Sequence, residues 1–233
     1  MKIPVAILCG GAATRLGSLT KTIPKSLILV TGKPMIFHQL DILGKRGINR
    51  VVLCVGHLGE MIRDRVGCEY QGIKIDYSFD GSIPLGTGGA IKKALPMLED
   101  KFFVLYGDSY LPIEYSPILD FFDKCYELGL ITVYNNNDKF GTSNVVFENG
   151  KIIAYGKDTK LESMKHIDYG LSLFKSWAFN PYRYECKFDL SEVFTDLLKE
   201  NQLAGYEMYE RFYEIGSISG LSELESKLQN QAR

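Results

Sequence analysis

The first half of the chain alternates short apolar runs with longer amphipathic segments, and this alternation restricts the fold more than any other feature. The apolar runs predict strands at residues 5–8, 51–55, 73–79, 102–106 and 130–134. The segments between them predict helices at residues 34–45, 58–66, 89–98 and from Ser116 to about Leu128. Strands that alternate with helices are typical of βαβ units. We therefore predict an α/β fold whose central sheet is mostly parallel and covered by helices on both faces.

The second half of the chain predicts an antiparallel elaboration of this sheet. Asn149-Gly150 lies between apolar runs at residues 144–148 and 151–155, and this pair favours the type I′ turn of a β-hairpin. A further strand is predicted at residues 167–174, with helices at 190–200 and 221–229. No linker or repeat separates the halves, so we predict one domain over residues 1–233. Its parallel half, about residues 1–134, is expected to bind a ligand at the carboxyl ends of its strands.

Composition and charge exclude several classes of protein. Lys plus Arg number 27 and Asp plus Glu number 28, so the net charge is −1, without the basic excess that is usual in nucleic-acid-binding proteins. Five cysteines without a C-x-x-C pair are typical of free thiols in a reducing compartment, and we expect a cytoplasmic protein. The first apolar run, from Val5 to Cys9, is too short for a signal peptide or a membrane span. We expect neither a nucleic-acid partner nor a membrane partner.

The loop after the first predicted strand combines small residues with cations. Gly10-Gly11-Ala12-Ala13-Thr14-Arg15 lets the backbone approach a ligand closely, and its N–H groups can face anionic oxygens. Arg15 adds a planar guanidinium that fits phosphate, and Lys25 follows Pro24 ten residues later. The spacing matches neither a Walker A loop nor a dinucleotide fingerprint. It favours a polyphosphate site, although a lone Gly-Gly is more often a simple turn beside a surface arginine.

This string, with Leu19-Thr20 and Pro24-Lys25, resembles the signature of the sugar-1-phosphate nucleotidylyltransferases. Further matches follow in the family's order at residues 84–90, 106–108, 168–171 and 213–217. The family transfers a nucleoside monophosphate from a nucleoside triphosphate (NTP) to a sugar 1-phosphate and releases pyrophosphate. The resemblance implies a three-layer Rossmann-like nucleotidyltransferase fold, with a nucleotide-binding half at about 1–134 and a sugar-binding half at about 135–233. The chain is similar in length to single-domain members such as heptose-1-phosphate guanylyltransferases and N-acetylmuramate-1-phosphate uridylyltransferases.

The resemblance also implies a role for individual residues. Arg15 and Lys25 are expected to be catalytic, Arg15 by holding the triphosphate and Lys25 by bridging the reacting phosphates. The expected nucleotide-binding residues are Leu8, Gly10, Gly11, Ala13, Thr14, Pro84, Gly86 and Thr87. The expected sugar-phosphate-binding residues are Asn144, Lys157, Asp168 and Gly170. Asp108 and Glu214 are the expected ligands of Mg²⁺, the expected cofactor.

The residue types suit this reaction. A sugar phosphate is already an anion at neutral pH because its second pKa is about 6, so the reaction needs no general base. It needs positioning and neutralisation of charge. Asp108 ends a predicted strand, where a carboxylate is well placed for Mg²⁺, although Asp-Ser is also a common turn pair. Glu214 stands where the family commonly has aspartate, and Gly156-Lys157-Asp158 stands where it has Glu-Lys-Pro.

Two other functions remain open from the sequence. The chain could be a non-catalytic nucleotide-sugar-binding regulatory protein, or a glycosyltransferase of related architecture. Glycosyltransferases of that kind hold a metal with Asp-x-Asp, whereas residues 106–110 contain one aspartate. GTP and a heptose 1-phosphate rank first as substrates, because residues 84–89 look most like those of heptose-1-phosphate guanylyltransferases. Residue types leave the base, the sugar, the glycan pathway and the choice between monomer and homo-oligomer open.

Overall fold

A computed structural model describes residues 3–11, 22–156 and 160–231 of the protein. The strands in these residues are β1 (Val5–Leu8), β2 (Leu29–Val30), β3 (Lys33–Pro34), β4 (Arg50–Val55), β5 (Glu69–Tyr70), β6 (Ile73–Phe79), β7 (Lys101–Tyr106), β8 (Ser109–Tyr110), β9 (Gly129–Asn135), β10 (Val145–Glu148), β11 (Lys151–Tyr155), β12 (His166–Lys175), β13 (Leu203–Met208) and β14 (Tyr213–Glu214). The α-helices are α1 (Met35–Lys45), α2 (Gly59–Val66), α3 (Gly86–Ala94), α4 (Ser116–Phe122), α5 (Leu190–Lys199) and α6 (Ile218–Gln231). Across these ranges, no helix is both long and apolar enough to cross a membrane.

One large mixed sheet organises the described residues. Its strand order is β11-β10-β12-β7-β1-β4-β6-β5, with β9 beside β12 and β13 beside β9. The central strands β7, β1, β4 and β6 pair in parallel, so their carboxyl ends lie at the same edge of the sheet. This edge positions the candidate site described below.

Helices cover both faces of the sheet, as predicted. Along β1, Val5 and Ile7 pack in one apolar cluster with α1, α2 and α4, whereas Ala6 packs in another cluster with α3 and α5. Alternate residues of a strand point to opposite faces. The short apolar runs of the first half are therefore strands buried on both sides, and the three-layer α/β architecture is confirmed.

The second half differs from simple strand–helix alternation. The fifth predicted strand, β9, does not pair with β7, because β12 lies between them and is antiparallel to both. On its other side β9 pairs in parallel with β13, a strand that the sequence pattern did not predict. Gly205 weakens the strand pattern of β13, yet a Cβ there would lie 2.8 Å from the side chains of Phe147 and Ile152. Packing therefore requires glycine at position 205, and the same glycine made β13 hard to recognise from the sequence.

Turn chemistry explains where the other predictions succeed and fail. The hairpin of β10 and β11 is confirmed, with φ of +50° at Asn149 and +78° at Gly150, the left-handed values that a type I′ turn requires. The helix predicted to run to about Leu128 is wrong in length, because α4 ends at Phe122 and tight turns follow it. Helix α3 begins at Gly86, earlier than predicted, and becomes a 3₁₀ turn at Leu95–Met97, where Pro96 has no N–H to continue it.

Candidate active site

A cavity of about 390 Å³ opens where the carboxyl ends of the parallel strands meet. Its wall combines these strand ends with the start of α3 and the segment before α5. The lining residues are Leu8, Cys9, Gly10, Gly11, Lys25, Ser26, His57, Asp80, Pro84, Gly86, Thr87, Ala90, Tyr106, Gly107, Asp108, Lys187 and Asp189. Eight of the residues predicted from the sequence thus face one cavity: Leu8, Gly10, Gly11, Lys25, Pro84, Gly86, Thr87 and Asp108.

The glycines of the strand ends allow close backbone approach. A Cβ on Gly107 would lie 2.6 Å from the carbonyl oxygen of Leu8, and one on Gly10 would lie 3.3 Å from the backbone nitrogen of Gly56. Because these residues carry no side chain, a ligand can approach their backbone closely. The predicted residues Ala13, Thr14 and Arg15, which follow Gly11 in the sequence, lie outside the described residues, as does Lys157.

Lys25 and Asp108 form an ion pair in the cavity. Lys25 lies in a 3₁₀ turn that begins directly after Pro24, and Asp108 follows β7. The Lys25 Nζ and Asp108 Oδ2 atoms are 2.5 Å apart, and the two side chains are 18% and 32% exposed. The backbone N–H of Ile215 donates to the Asp108 carbonyl at 3.0 Å, which fixes the backbone that carries the carboxylate. A cation and a carboxylate therefore meet at the end of a central strand.

The start of α3 is held by a segment about 100 residues further along the chain. Gly86 has φ of +74°, and a Cβ there would lie 2.5 Å from the Phe188 carbonyl oxygen. The Thr87 hydroxyl lies 3.2 Å from Asp189 Oδ1 and accepts a hydrogen bond from the Leu190 N–H at 2.9 Å. Asp189 is also the N-cap of α5 in a capping box. The loop around Gly86 is thus fixed against the N-terminus of α5.

Several cavity residues were missed by reasoning from the sequence. His57 lies two residues after β4 and Asp80 directly follows β6, so strand ends alone could have indicated them. Lys187 and Asp189 carry no such signal, because they reach the cavity only through the packing of α5. Burial raises the pKa of Cys9 to about 12, which keeps that thiol protonated. A protonated thiol is a poor nucleophile, so Cys9 is suited to packing in the wall of the cavity rather than to chemistry.

Three of the predicted sugar-binding residues form a second cluster beside the cavity. The Asn144 Oδ1 atom accepts a hydrogen bond from the Asp168 N–H at 2.9 Å, and the Gly170 N–H donates to Asp168 Oδ1 at 2.9 Å. The register of β12 shifts here, and Gly170 has φ of +93°. A Cβ on Gly170 would lie 2.8 Å from the Ser109 hydroxyl oxygen. Asn144, Asp168 and Gly170 do not line the 390 Å³ cavity, but their cluster contacts the residue that follows Asp108.

Burial shifts the pKa of the carboxyl group in this cluster, that of Asp168. It raises the pKa of Asp168 to about 6, and the hydrogen bond from the Gly170 N–H opposes that shift. Asp168 in turn contributes to the raised pKa of Tyr106, whose main cause is burial of the phenol.

Glu214 lies close to Asp108 in the backbone, and its carboxylate is held by hydrogen bonds within its own turn. Strand β14 pairs with β8 so that Glu214 is opposite Ser109. The carboxylate accepts hydrogen bonds from the Gly216 N–H and from the Ser217 hydroxyl, the latter at 3.0 Å, and it lines a separate cavity of about 340 Å³. Within the described ranges, no group of three or more His, Cys, Asp or Glu residues could hold a metal ion. Glu214 as a metal ligand therefore stays a prediction.

Comparisons with known proteins agree with this architecture. A model of the nucleotidyl transferase family matches residues 5–231. The chain is 33% identical over 211 residues to the D-glycero-alpha-D-manno-heptose 1-phosphate guanylyltransferase of Campylobacter jejuni, covering 90% of this chain and 93% of that protein. It is 28% identical over 229 residues to the enzyme of the same name from Aneurinibacillus thermoaerophilus, covering 96% and 97%. The crystal structure of HddC from Yersinia pseudotuberculosis complexed with GMP-PN superposes with a TM-score of 0.82 at 24% identity, covering 97% of this chain and 99% of that one.

Proposed function

The chain belongs to the nucleotidyl transferase family, and we propose that it transfers GMP from GTP to a heptose 1-phosphate and releases pyrophosphate. The reaction class is that of a sugar-1-phosphate nucleotidylyltransferase. The choice of GTP and a heptose rests on the names of the relatives from C. jejuni and A. thermoaerophilus, which match this chain over nearly its full length. The two halves share one sheet, which supports a single domain that binds the nucleotide and the sugar on neighbouring surfaces.

The ion pair of Lys25 and Asp108 at the edge of the parallel sheet carries this proposal. Both groups face the cavity that also contains the Gly10-Gly11 backbone and Gly86. A nucleotide bound there could place its phosphates beside Lys25, because the lysine and the Gly10-Gly11 backbone line the same cavity. The 390 Å³ volume lies within the range of small-molecule sites.

Neutralisation of charge is what these residues supply to the reaction. The attacking sugar phosphate and the α-phosphate are both anions, so their approach is repulsive unless cations lie between them. Lys25 would exchange the Asp108 carboxylate for phosphate oxygens as substrates bind. We assign Arg15 to the triphosphate and the departing pyrophosphate, on the basis of its position in the sequence shortly after β1 and of the motif around it. No group in the cavity needs to act as a general base.

Asp108 is the residue that fits a divalent cation. Nucleotidyltransferases of this family generally use divalent metal ions, and we propose Mg²⁺ here. Mg²⁺ binds one or two carboxylates and completes its shell with water and phosphate oxygens. A partly exposed carboxylate beside a phosphate cavity meets that requirement. When bound, the cation supplies further neutralisation of phosphate charge, and Glu214 is the proposed second carboxylate.

We assign the sugar phosphate to the cluster of Asn144, Asp168 and Gly170, together with Lys157. Among the described residues, Asp168 is held by Asn144 and Gly170 and pairs with no cation, so its remaining acceptor positions suit sugar hydroxyls. All five cysteines are free thiols, which supports a reducing cytoplasm as the location of the reaction.

Release of pyrophosphate tests this function directly. The purified protein would be incubated with Mg²⁺, each of GTP, UTP, CTP, dTTP and ATP, and a panel of sugar 1-phosphates. We expect release with GTP and a heptose 1-phosphate, together with a nucleotide sugar identified by mass spectrometry. Release with another pair would keep the reaction class and change the substrates. Binding of a nucleotide sugar without any turnover would refute the enzyme assignment.

A further inference from the structure

Asp80 lies where β6 ends and faces the cavity, but no role in the reaction has been given to it. Its N–H donates to the Val55 carbonyl at 2.9 Å, which fixes its backbone beside β4. Its Oδ2 atom accepts a hydrogen bond from the Leu85 N–H at 3.2 Å. Positions for a Cβ on Gly10 and on Gly56 lie 3.6 Å and 3.3 Å from the same oxygen. The carboxylate thus lies between the loop after β1 and the loop that leads into α3.

The hydrogen-bonding capacity of this carboxylate is largely unused. Among the described residues, the Leu85 N–H is the one donor that bonds to it, and no cation lies within ion-pair distance. Lys93, whose charge lowers the pKa of Asp80, pairs with Glu185 and donates to the Asp80 carbonyl instead. A carboxylate has about four acceptor positions, so Asp80 can accept further hydrogen bonds from a ligand.

A backbone donor lies next to this acceptor. Gly86 is the first residue of α3, and its N–H has no acceptor in the described part of the chain, whereas the next three N–H groups are directed at Asp189 and Phe188. Because Leu85 N–H contacts Asp80, the N–H of Gly86 is one residue away from the carboxylate. The cavity therefore presents a free donor beside a free anionic acceptor.

We propose that Asp80 selects guanine, its carboxylate accepting from the N1–H and the 2-amino group while the Gly86 N–H donates to O6. This inference rests on the proposed function, since it assumes that the cavity holds the base of the NTP. It makes Asp80 a determinant of base specificity through its side chain.

Other bases do not match this arrangement. Guanine has two adjacent donors beside a carbonyl, and a carboxylate can accept from both at once. Adenine turns an N1 lone pair toward the carboxylate and an amino group toward the Gly86 N–H. Cytosine presents the N3 lone pair, and uracil and thymine present a second carbonyl where guanine has its amino group. An unpaired lone pair against a partly buried carboxylate is unfavourable, so the site discriminates against each of them.

The electrostatics of Asp80 agree with this role. Burial is the largest influence on its pKa and raises it above the usual range, and the Leu85 N–H opposes that shift. The charged carboxylate therefore gains from additional donors, which guanine would supply.

A comparison of GTP with ITP tests the inference, because ITP lacks only the 2-amino group. We expect kcat/KM for wild-type protein to be roughly 10–100-fold higher with GTP, the range for a hydrogen bond to a charged group. Asp80→Asn keeps an oxygen for the Leu85 N–H but presents its own amide N–H₂ to the base, so the ratio should fall to about one. Asp80→Ala removes the acceptor altogether, so its GTP/ITP ratio should also be about one. Asp76→Asn, at a carboxylate on β6 that lies outside the cavity, should retain the wild-type ratio.

The outcomes separate this inference from the proposed function. Turnover of GTP with equal turnover of ITP by wild-type protein would overturn the role of Asp80 and leave the function intact. An unchanged GTP/ITP ratio in either folded Asp80 variant would do the same. No turnover of GTP by wild-type protein would overturn both. Calorimetric binding of GMP and IMP to the same variants gives the ratio independently of activity, including for a variant with little turnover.

Discussion

Replacing Lys25 with methionine removes the ammonium charge and keeps an unbranched side chain of similar length. We expect turnover to fall roughly 10²–10³-fold, the effect of losing one electrostatic stabiliser, which corresponds to about 2.7–4 kcal/mol of transition-state stabilisation. The stability cost should be much smaller. Both partners of the ion pair are partly exposed, at 18% and 32%, and such pairs contribute about 0–1 kcal/mol. A large loss of activity with a small loss of stability is therefore the signature of a charge that acts on substrate.

Pyrophosphate release and thermal unfolding, measured on the same preparation, check this prediction. Lys101→Met is a matched control, because Lys101 also forms an ion pair, with Asp123, and lies at the opposite end of β7 from Asp108. The control should keep full turnover. A folded Lys25→Met protein with wild-type turnover would refute the role of Lys25, and equal losses in both variants would show that the effect is structural.

Substitutions at three further residues test other parts of the site. Gly86→Ala should destabilise the protein by about 1–3 kcal/mol in denaturant titrations and should raise KM for GTP. The reason is that φ at Gly86 is +74° and that a Cβ would clash with the Phe188 carbonyl. Unchanged stability and KM would contradict that geometry. Asp168 has a pKa raised to about 6, so the folded state retains a proton that the unfolded state loses near pH 4. The free energy of unfolding of wild-type protein should therefore fall by up to about 3 kcal/mol between pH 4 and 6, and that of Asp168→Asn should not. If both proteins show the same dependence of stability on pH, the pKa of Asp168 is not raised. Glu214→Gln should lose activity with Mg²⁺ and recover part of it with Mn²⁺, and Glu214→Asp should lose less activity. Full activity of Glu214→Gln with Mg²⁺ would show that this carboxylate is not a ligand of the metal.

Local sequence patterns were sufficient for the parallel half of the fold. Residues buried on both sides of a sheet form short apolar runs, so β1, β4, β6 and β7 could be recognised one at a time. Because parallel strands end at one edge, Leu8 and Asp108 could also be expected to meet there. The same reasoning could have included Asp80, which follows a recognised strand.

Long-range packing determined what the sequence did not predict. The insertion of β12 between β7 and β9 depends on pairing with β7 across more than 60 residues and with β9 across more than 30, for which no local pattern exists. Lys187 and Asp189 reach the cavity because α5 packs against α3, and neither residue belongs to a motif. The direction of the Glu214 carboxylate depends on its turn, where the Gly216 N–H and the Ser217 hydroxyl compete with any ligand in the cavity.

The pairing of β8 with β14 has a consequence for the order of events during synthesis. Lys25 and Asp108 leave the ribosome early, but the Ile215 N–H that fixes Asp108 belongs to a segment made about 100 residues later. At roughly 5–20 residues per second, that delay is about 5–20 s, long enough for the parallel strands to collapse first. Met35, Tyr110, Ile215 and Leu224 share a small apolar cluster, so the late segment docks onto a surface that the nascent chain has kept exposed. Ribosome-bound chains that stop before residue 213 should therefore carry an ordered parallel sheet without activity, and turnover should begin when β14 and α6 have emerged.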